Sequence, residues 1–218
     1  MMKMEEIQPG IYERNGKIYT RNADPGEKVY GEGLLQVGDV EYRRWEASRS
    51  KAGAAVRNGM NLGVEQDDFV LYLGAASGTT ASHFSDILEE GFVLGVEYSD
   101  TVIRGLVELS ERRDNIAPFL GDARKPGEYS EYVDEADMVF QDISQRDQAE
   151  MFLKNCEKFL REGGKGLLAV KARSISSSKD KKEIFGDVRG KVSEEFEIVD
   201  ETELDPFEKE HLVLKIEG

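Results

Sequence analysis

The chain has a single cysteine, Cys156, in 218 residues, so no disulfide can form within it and a disulfide-stapled scaffold is excluded. Cys156 lies among apolar residues at helical spacing and reads as a packed thiol, not a nucleophile. Two histidines and that one thiol suggest no metal site, and 218 residues suffice to bury a core without a structural ion. Long apolar runs are also missing. Met1-Met2-Lys3-Met4-Glu5-Glu6 opens no stretch of signal-peptide length, and no window approaches the roughly 18 apolar residues of a membrane span. The expectation is a soluble cytoplasmic protein with no membrane partner. Positive charge is the third shortage: 29 basic against 44 acidic residues give a formal net charge of −15. Such a surface repels a polyanion. Either the substrate is not nucleic acid, or a basic partner holds the RNA; adaptation to a salty cytoplasm would also produce this acidity.

What is present divides the chain near residue 50. Residues 1–50 show short β-type runs: Ile11-Tyr12-Glu13-Arg14, the turn Asn15-Gly16, then Lys17-Ile18-Tyr19-Thr20, a strong hairpin signal. Further strands are expected at Val29-Tyr30 and Val40-Glu41-Tyr42. Residues 51–218 alternate helices with apolar strands, the pattern of a parallel sheet covered on both faces. The strands are expected at Phe69–Leu73, Phe92–Val96, Ile116–Leu120, Met138–Phe140 and Gly166–Val170. Ala149, Phe152, Leu153, Cys156, Phe159 and Leu160 recur on one helical face, with Gly163-Gly164 as the stop. Phe196–Val199 and His211–Ile216 are joined by a link too short for a crossover helix, so they must run antiparallel. Ser174 to Lys182 reads as a Ser/Lys loop feeding a helix. The fold class expected is α/β, a Rossmann-like seven-stranded, mostly parallel sheet with an antiparallel terminal hairpin, which resembles that of class I methyltransferases. A small N-terminal antiparallel β module precedes it.

Three strand ends carry ligand-binding signals. Gly74-Ala75-Ala76-Ser77-Gly78-Thr79-Thr80 forms a strand-to-helix turn where the backbone can approach a ligand. The third glycine of a dinucleotide turn is replaced by threonines, which suits a ligand without phosphate and argues against an oxidoreductase. Glu97, in Gly95-Val96-Glu97-Tyr98, stands where a ribose-binding acid belongs. Asp122, in Gly121-Asp122-Ala123-Arg124, can accept from an adenine amine, and Ala123 leaves room for the ring. Asp142, Lys171 and His211 end or open strands near the same crevice, favouring chemistry over packing. Tyr42-Arg43-Arg44-Trp45 with Arg49-Ser50-Lys51 is a basic cluster that marks a candidate anion site. His83, inside a helix, reads as structural.

Together with Gln141-Asp142-Ile143-Ser144-Gln145, Lys171-Ala172-Arg173-Ser174-Ile175 and Asp205-Pro206-Phe207-Glu208-Lys209-Glu210-His211, these motifs resemble archaeal fibrillarin along essentially the whole chain. Ala47, Ala52 and the order Ala75-Ala76-Ser77 depart from the family's commoner residues without removing a functional group. The resemblance implies a 2′-O-ribose methyltransferase acting on rRNA, and on tRNA, with S-adenosyl-L-methionine as cofactor. It implies cofactor contacts at Gly74, Thr79, Thr80, Glu97, Tyr98, Asp122, Ala123, Asp142, Ile143, Ser144 and Gln145. It also implies a catalytic group of Lys51, Asp142, Lys171 and His211. The implied partners are a box C/D guide RNA and its substrate RNA, a Nop-family scaffold protein and a kink-turn-binding ribosomal-type protein. In this reading Lys171 is the base, Asp142 directs its amine, Lys51 meets the RNA, and His211 accepts or positions a proton. The competing readings are a methyltransferase for a small molecule or a protein, including a histone-like glutamine, and a cofactor-binding scaffold without turnover.

Overall fold

A computed structural model of the chain describes residues 4–218. The first sheet is antiparallel and contains β1 (Glu5–Gln8), β2 (Ile11–Arg14), β3 (Lys17–Arg21), β4 (Leu34–Val37) and β5 (Val40–Trp45), ordered β1-β2-β3-β5-β4. Asn15 and Gly16 both take positive φ, 54° and 69°, the geometry that two-residue hairpin turns require. The strand expected at Val29-Tyr30 does not form. Both backbone N–H groups there donate to the Glu32 carboxylate, so a side chain occupies the donors a neighbouring strand would have used.

The chain then enters α1 (Lys51–Arg57), capped by Ser50, whose Oγ accepts from the Gly53 N–H at 3.2 Å. The second sheet follows: β6 (Phe69–Leu73), α2 (Thr79–Ile87), β7 (Phe92–Glu97), α3 (Arg104–Ser110), β8 (Ile116–Leu120) and β9 (Ala136–Gln141). It is completed by α4 (Gln148–Phe159), β10 (Leu160–Lys171), α5 (Ala172–Ile175), α6 (Lys181–Ser193), β11 (Glu197–Glu203) and β12 (His211–Glu217). The strand order is β11-β12-β10-β9-β6-β7-β8, and β12 runs against both of its neighbours. Gly163-Gly164 do not stop α4. The helix ends at Phe159, because Leu160 is already extended and pairs with Ala136; the glycines fall where the β9–β10 register shifts.

Side chains alternate across the second sheet, as a pleat demands. Val70 and Tyr72 of β6 pack on one face, and Leu71 and Leu73 on the other. The first face is covered by α1 and α2 together with Ile11, Ile18 and Trp45 of the small sheet, so the two sheets share a core. Ala52 lies within that core, 1% exposed.

Charge is buried at the same junction. Arg43 is fully buried, its Nε donating to Glu32 at 2.6 Å and a terminal nitrogen to Asp86 at 2.9 Å. Arg113 donates to Asp86 at 2.6 Å. His83 joins Thr20 and Tyr30 at 2.8 Å each and stacks on Trp45; burial, reinforced by Arg43 and Arg113, drives its pKa well below the usual imidazole value. His83 is therefore structural, as its position suggested. Arg43 is not part of an anion site: both carboxylates that neutralise it come from the protein itself. Among the described residues, no helix is long and apolar enough to cross a membrane.

Candidate active site

The carboxyl ends of β6, β7, β8 and β9 open onto a cavity of about 430 Å³. Its lining draws on the turn after each strand: Gly74 and Ala76, Glu97 and Tyr98, Asp122 and Ala123, and the run Asp142 to Gln145. This is the crevice where an α/β sheet reverses direction and binds its ligand. Gly74 has φ +81°, and a Cβ there would lie 2.5 Å from the Asp142 carbonyl oxygen, so only glycine lets β6 and β9 close around the cavity floor. Glu97 is held by two backbone donors, the N–H groups of Ala76 at 3.0 Å and Ser99 at 2.9 Å. A carboxylate offers about four lone-pair positions, so the fixed Glu97 retains acceptors for a ligand. Asp122 accepts from the Arg124 N–H at 3.0 Å, and Arg124 is tied in turn to Asp147.

Thr79 and Thr80 lie outside this lining. Thr80 is buried, and its hydroxyl donates to Ser50 Oγ at 2.9 Å, locking the start of α2 to the start of α1. Ala76, Val96, Gly121 and Arg124, which belong to the sequence motifs but were not named as contacts, also line the cavity, as do Val102 and Met151, which no motif marks.

Beside the cavity, the ends of three further segments meet. Lys51, the first residue of α1, donates from Nζ to Asp142 at 3.0 Å. The carboxylate expected to direct Lys171 thus holds Lys51 instead, joining the segment between the two sheets to the end of β9. Lys171 and His211 face each other across β10 and β12. The Ala172 N–H donates to the Glu210 carbonyl at 3.2 Å, which marks Lys171–His211 as a non-hydrogen-bonded pair. Side chains stand closest in such pairs.

His211 is buried, and its Nδ1 lies 2.7 Å from the Lys209 carbonyl, an acceptor only, so Nδ1 carries the proton. Burial lowers the His211 pKa; the Lys209 hydrogen bond and the carboxylates of Glu208 and Asp142 oppose this, while the Lys51 ammonium reinforces it. The ring is neutral at pH 7, and Nε2 is a buried lone pair with no partner among the described residues. An orphaned acceptor between two lysine-bearing segments is suited to receiving a proton or steering an amine. Lys51, Asp142 and His211 therefore act on one another electrostatically, and Lys171 joins them through its register with His211.

A family model described as Fibrillarin matches residues 2–217. The fibrillarin-like rRNA/tRNA 2′-O-methyltransferase of Pyrococcus abyssi is 44% identical over 215 residues, 95% of each chain. The crystal structure of Aeropyrum pernix fibrillarin with natively bound S-adenosyl-L-methionine is 38% identical with a TM-score of 0.88, covering 99% of this chain and 100% of that one. The fibrillarin of a fibrillarin/Nop5p complex is similar at 38% identity and TM-score 0.91, over 98% of this chain and 99% of that one.

Proposed function

The chain belongs to the fibrillarin family, and on that premise we propose that it transfers a methyl group from S-adenosyl-L-methionine to the ribose 2′-hydroxyls of rRNA and tRNA. The observation that carries this reading is the adjacency of the Gly74–Gln145 cavity to the Lys51–Asp142 pair and to His211, with Asp142 belonging to both. The cavity residues fit the cofactor: Glu97 would take the ribose hydroxyls, Asp122 the adenine amine, and Ile143 and Ala123 the faces of the ring, while Gly74 leaves the backbone bare. When bound there, the cofactor supplies an electrophilic methyl on a sulfonium.

The chain's own task is then to align the attacking oxygen and remove its proton. Lys51, fixed by Asp142, contacts the RNA at the nucleophilic oxygen or its phosphate. Lys171, entering as the free amine, takes the single proton released by the 2′-hydroxyl, and the neutral His211 ring beside it offers Nε2 to steer that amine or to accept the proton from it. Each side chain is supplied by a different segment, so the group assembles only in the folded chain.

The net charge of −15 fits a subunit that borrows its RNA affinity. The proposed assembly contains a Nop-family scaffold protein, a kink-turn-binding ribosomal-type protein and a box C/D guide RNA that selects the nucleotide, in the cytoplasm. The division at residue 50 is read as a small module, residues 1–50, set against a methyltransferase domain, residues 51–218, that opens with Lys51. The test is reconstitution of the full chain with these partners, followed by mapping of 2′-O-methylated positions. Methylation at the guided ribose is expected; cofactor binding with no transfer would leave only a scaffold role.

A further inference from the structure

Beyond the four side chains grouped above, a buried amide bridges the cavity wall and the strand end that carries Lys171. β9 ends at Gln141, and its ladder to β10 stops at Leu168. Lys171 lies three residues further along β10, past the point where a neighbouring strand exists on that side. Because Lys171 and His211 form a non-hydrogen-bonded pair, the N–H and C=O of Lys171 point away from β12, toward the missing strand. Unpaired, they would be two orphaned backbone groups at the edge of the crevice.

Gln148, the first residue of α4 and fully buried, fills that gap. Its Oε1 accepts from the Lys171 N–H at 2.9 Å, and its Nε2 reaches the Lys171 carbonyl at 3.4 Å. The side-chain amide thus copies a peptide unit and extends the sheet by one rung. The same Nε2 donates to the Gln145 carbonyl at 2.7 Å, and Gln145 lines the cofactor cavity. Gln148 is itself pinned, since Gln141 Nε2 donates to the Gln148 carbonyl at 2.6 Å. One amide therefore touches the backbone of the cavity wall and the backbone that carries Lys171.

We propose that Gln148 is a positioning residue for methyl transfer, fixing the strand end that bears Lys171 against the cofactor loop so that the amine and the donor keep one separation. It touches no reacting atom and acts through Lys171 and Gln145. The inference rests on the methyltransferase reading given above. Misplacement of a reacting group by about 1 Å can cost on the order of 100-fold in rate.

The experiment is single-turnover methylation of guided RNA by the reconstituted complex, with wild type, Gln148→Met and Gln148→Glu. Gln148→Met keeps the shape and removes both hydrogen-bonding functions. It is expected to lower the transfer rate at least ~10-fold while the Kd for S-adenosyl-L-methionine and the KM for RNA stay within about twofold. Gln148→Glu keeps an acceptor for the Lys171 N–H and should recover part of the rate. Wild-type transfer by a folded Gln148→Met would overturn the proposal, as would a loss explained wholly by weaker cofactor binding. If Gln148→Met does not fold, amide hydrogen exchange on the unmodified chain decides: Lys171 should be protected like the β10 interior, and exchange at the rate of an exposed loop overturns the role. Inactivity of the wild-type complex with Lys171 protected would count against the methyltransferase reading, not against the Gln148 contact.

Discussion

Replacing Arg43 with methionine tests how the small sheet is attached. Arg43 and Arg113 contribute two positive charges to the buried junction, Glu32 and Asp86 two negative ones, and the cluster is neutral. Arg43→Met keeps much of the volume but leaves one uncompensated negative charge. Asp86 retains Arg113 at 2.6 Å and Thr20 at 2.7 Å, and Glu32 keeps the N–H groups of Val29 and Tyr30. Breaking a buried ion pair from one side costs about 3–5 kcal/mol, a large part of a total stability of about 5–15 kcal/mol. With a urea slope of about 3 kcal/mol per M, the unfolding midpoint should fall by roughly 1 to 2 M. The assay is equilibrium urea unfolding of wild type, Arg43→Met, Glu32→Gln and the double variant. Glu32→Gln placed on Arg43→Met restores neutrality and should return at least about 1 kcal/mol, so the pair is non-additive. A loss below about 1 kcal/mol for Arg43→Met, with strict additivity, would refute the reasoning and mean that the cluster is hydrated.

Gly74→Ala should weaken S-adenosyl-L-methionine at least ~10-fold by calorimetry, because both the positive φ and the Asp142 carbonyl oppose a Cβ. Lys171→Ala should leave cofactor affinity near wild type and slow methyl transfer at least ~100-fold, the lower range for acid–base participation; unchanged turnover would remove Lys171 from the group. His211 has a pKa depressed below 6.5 by burial, so its acceptor Nε2 is present at neutral pH and is lost as pH falls through the lowered value. Transfer rates should therefore drop on the acid side, and His211→Gln should abolish that limb. Stability should follow the same direction. His83 and His211, both depressed, bind protons more tightly when unfolded, so their contribution is full above the unfolded pKa and is lost as pH falls through the folded values.

Local signals carried the fold well. Asn15-Gly16 announces its hairpin through backbone conformations that few residues accept, and β6 and β7 announce themselves as apolar runs buried on both faces. The site was legible for a similar reason: Gly74, Glu97, Asp122 and Asp142 each end a strand, and the topology brings strand ends together. What stayed hidden depends on distant partners. Arg43 reads as part of an anion site until Glu32 and Asp86, 11 and 43 residues away, are seen to enclose it. Val29-Tyr30 looks like a strand until the Glu32 carboxylate takes its donors. Thr80 sits in a ligand-binding motif yet spends its hydroxyl on Ser50. Asp142 was identified, but its choice of Lys51 over Lys171 follows from where α1 begins.

Lys51 stands at the hinge point between the two sheets, immediately after the Ser50 cap. Its helix packs on the large sheet through Ala52, Ala54, Ala55 and Val56, while Ile11, Ile18 and Trp45 of the small sheet close the same core. The position of the amine beside Asp142 therefore depends on how that shared core seats one short helix, and a change in packing far from the cavity can reach the reactive group through it.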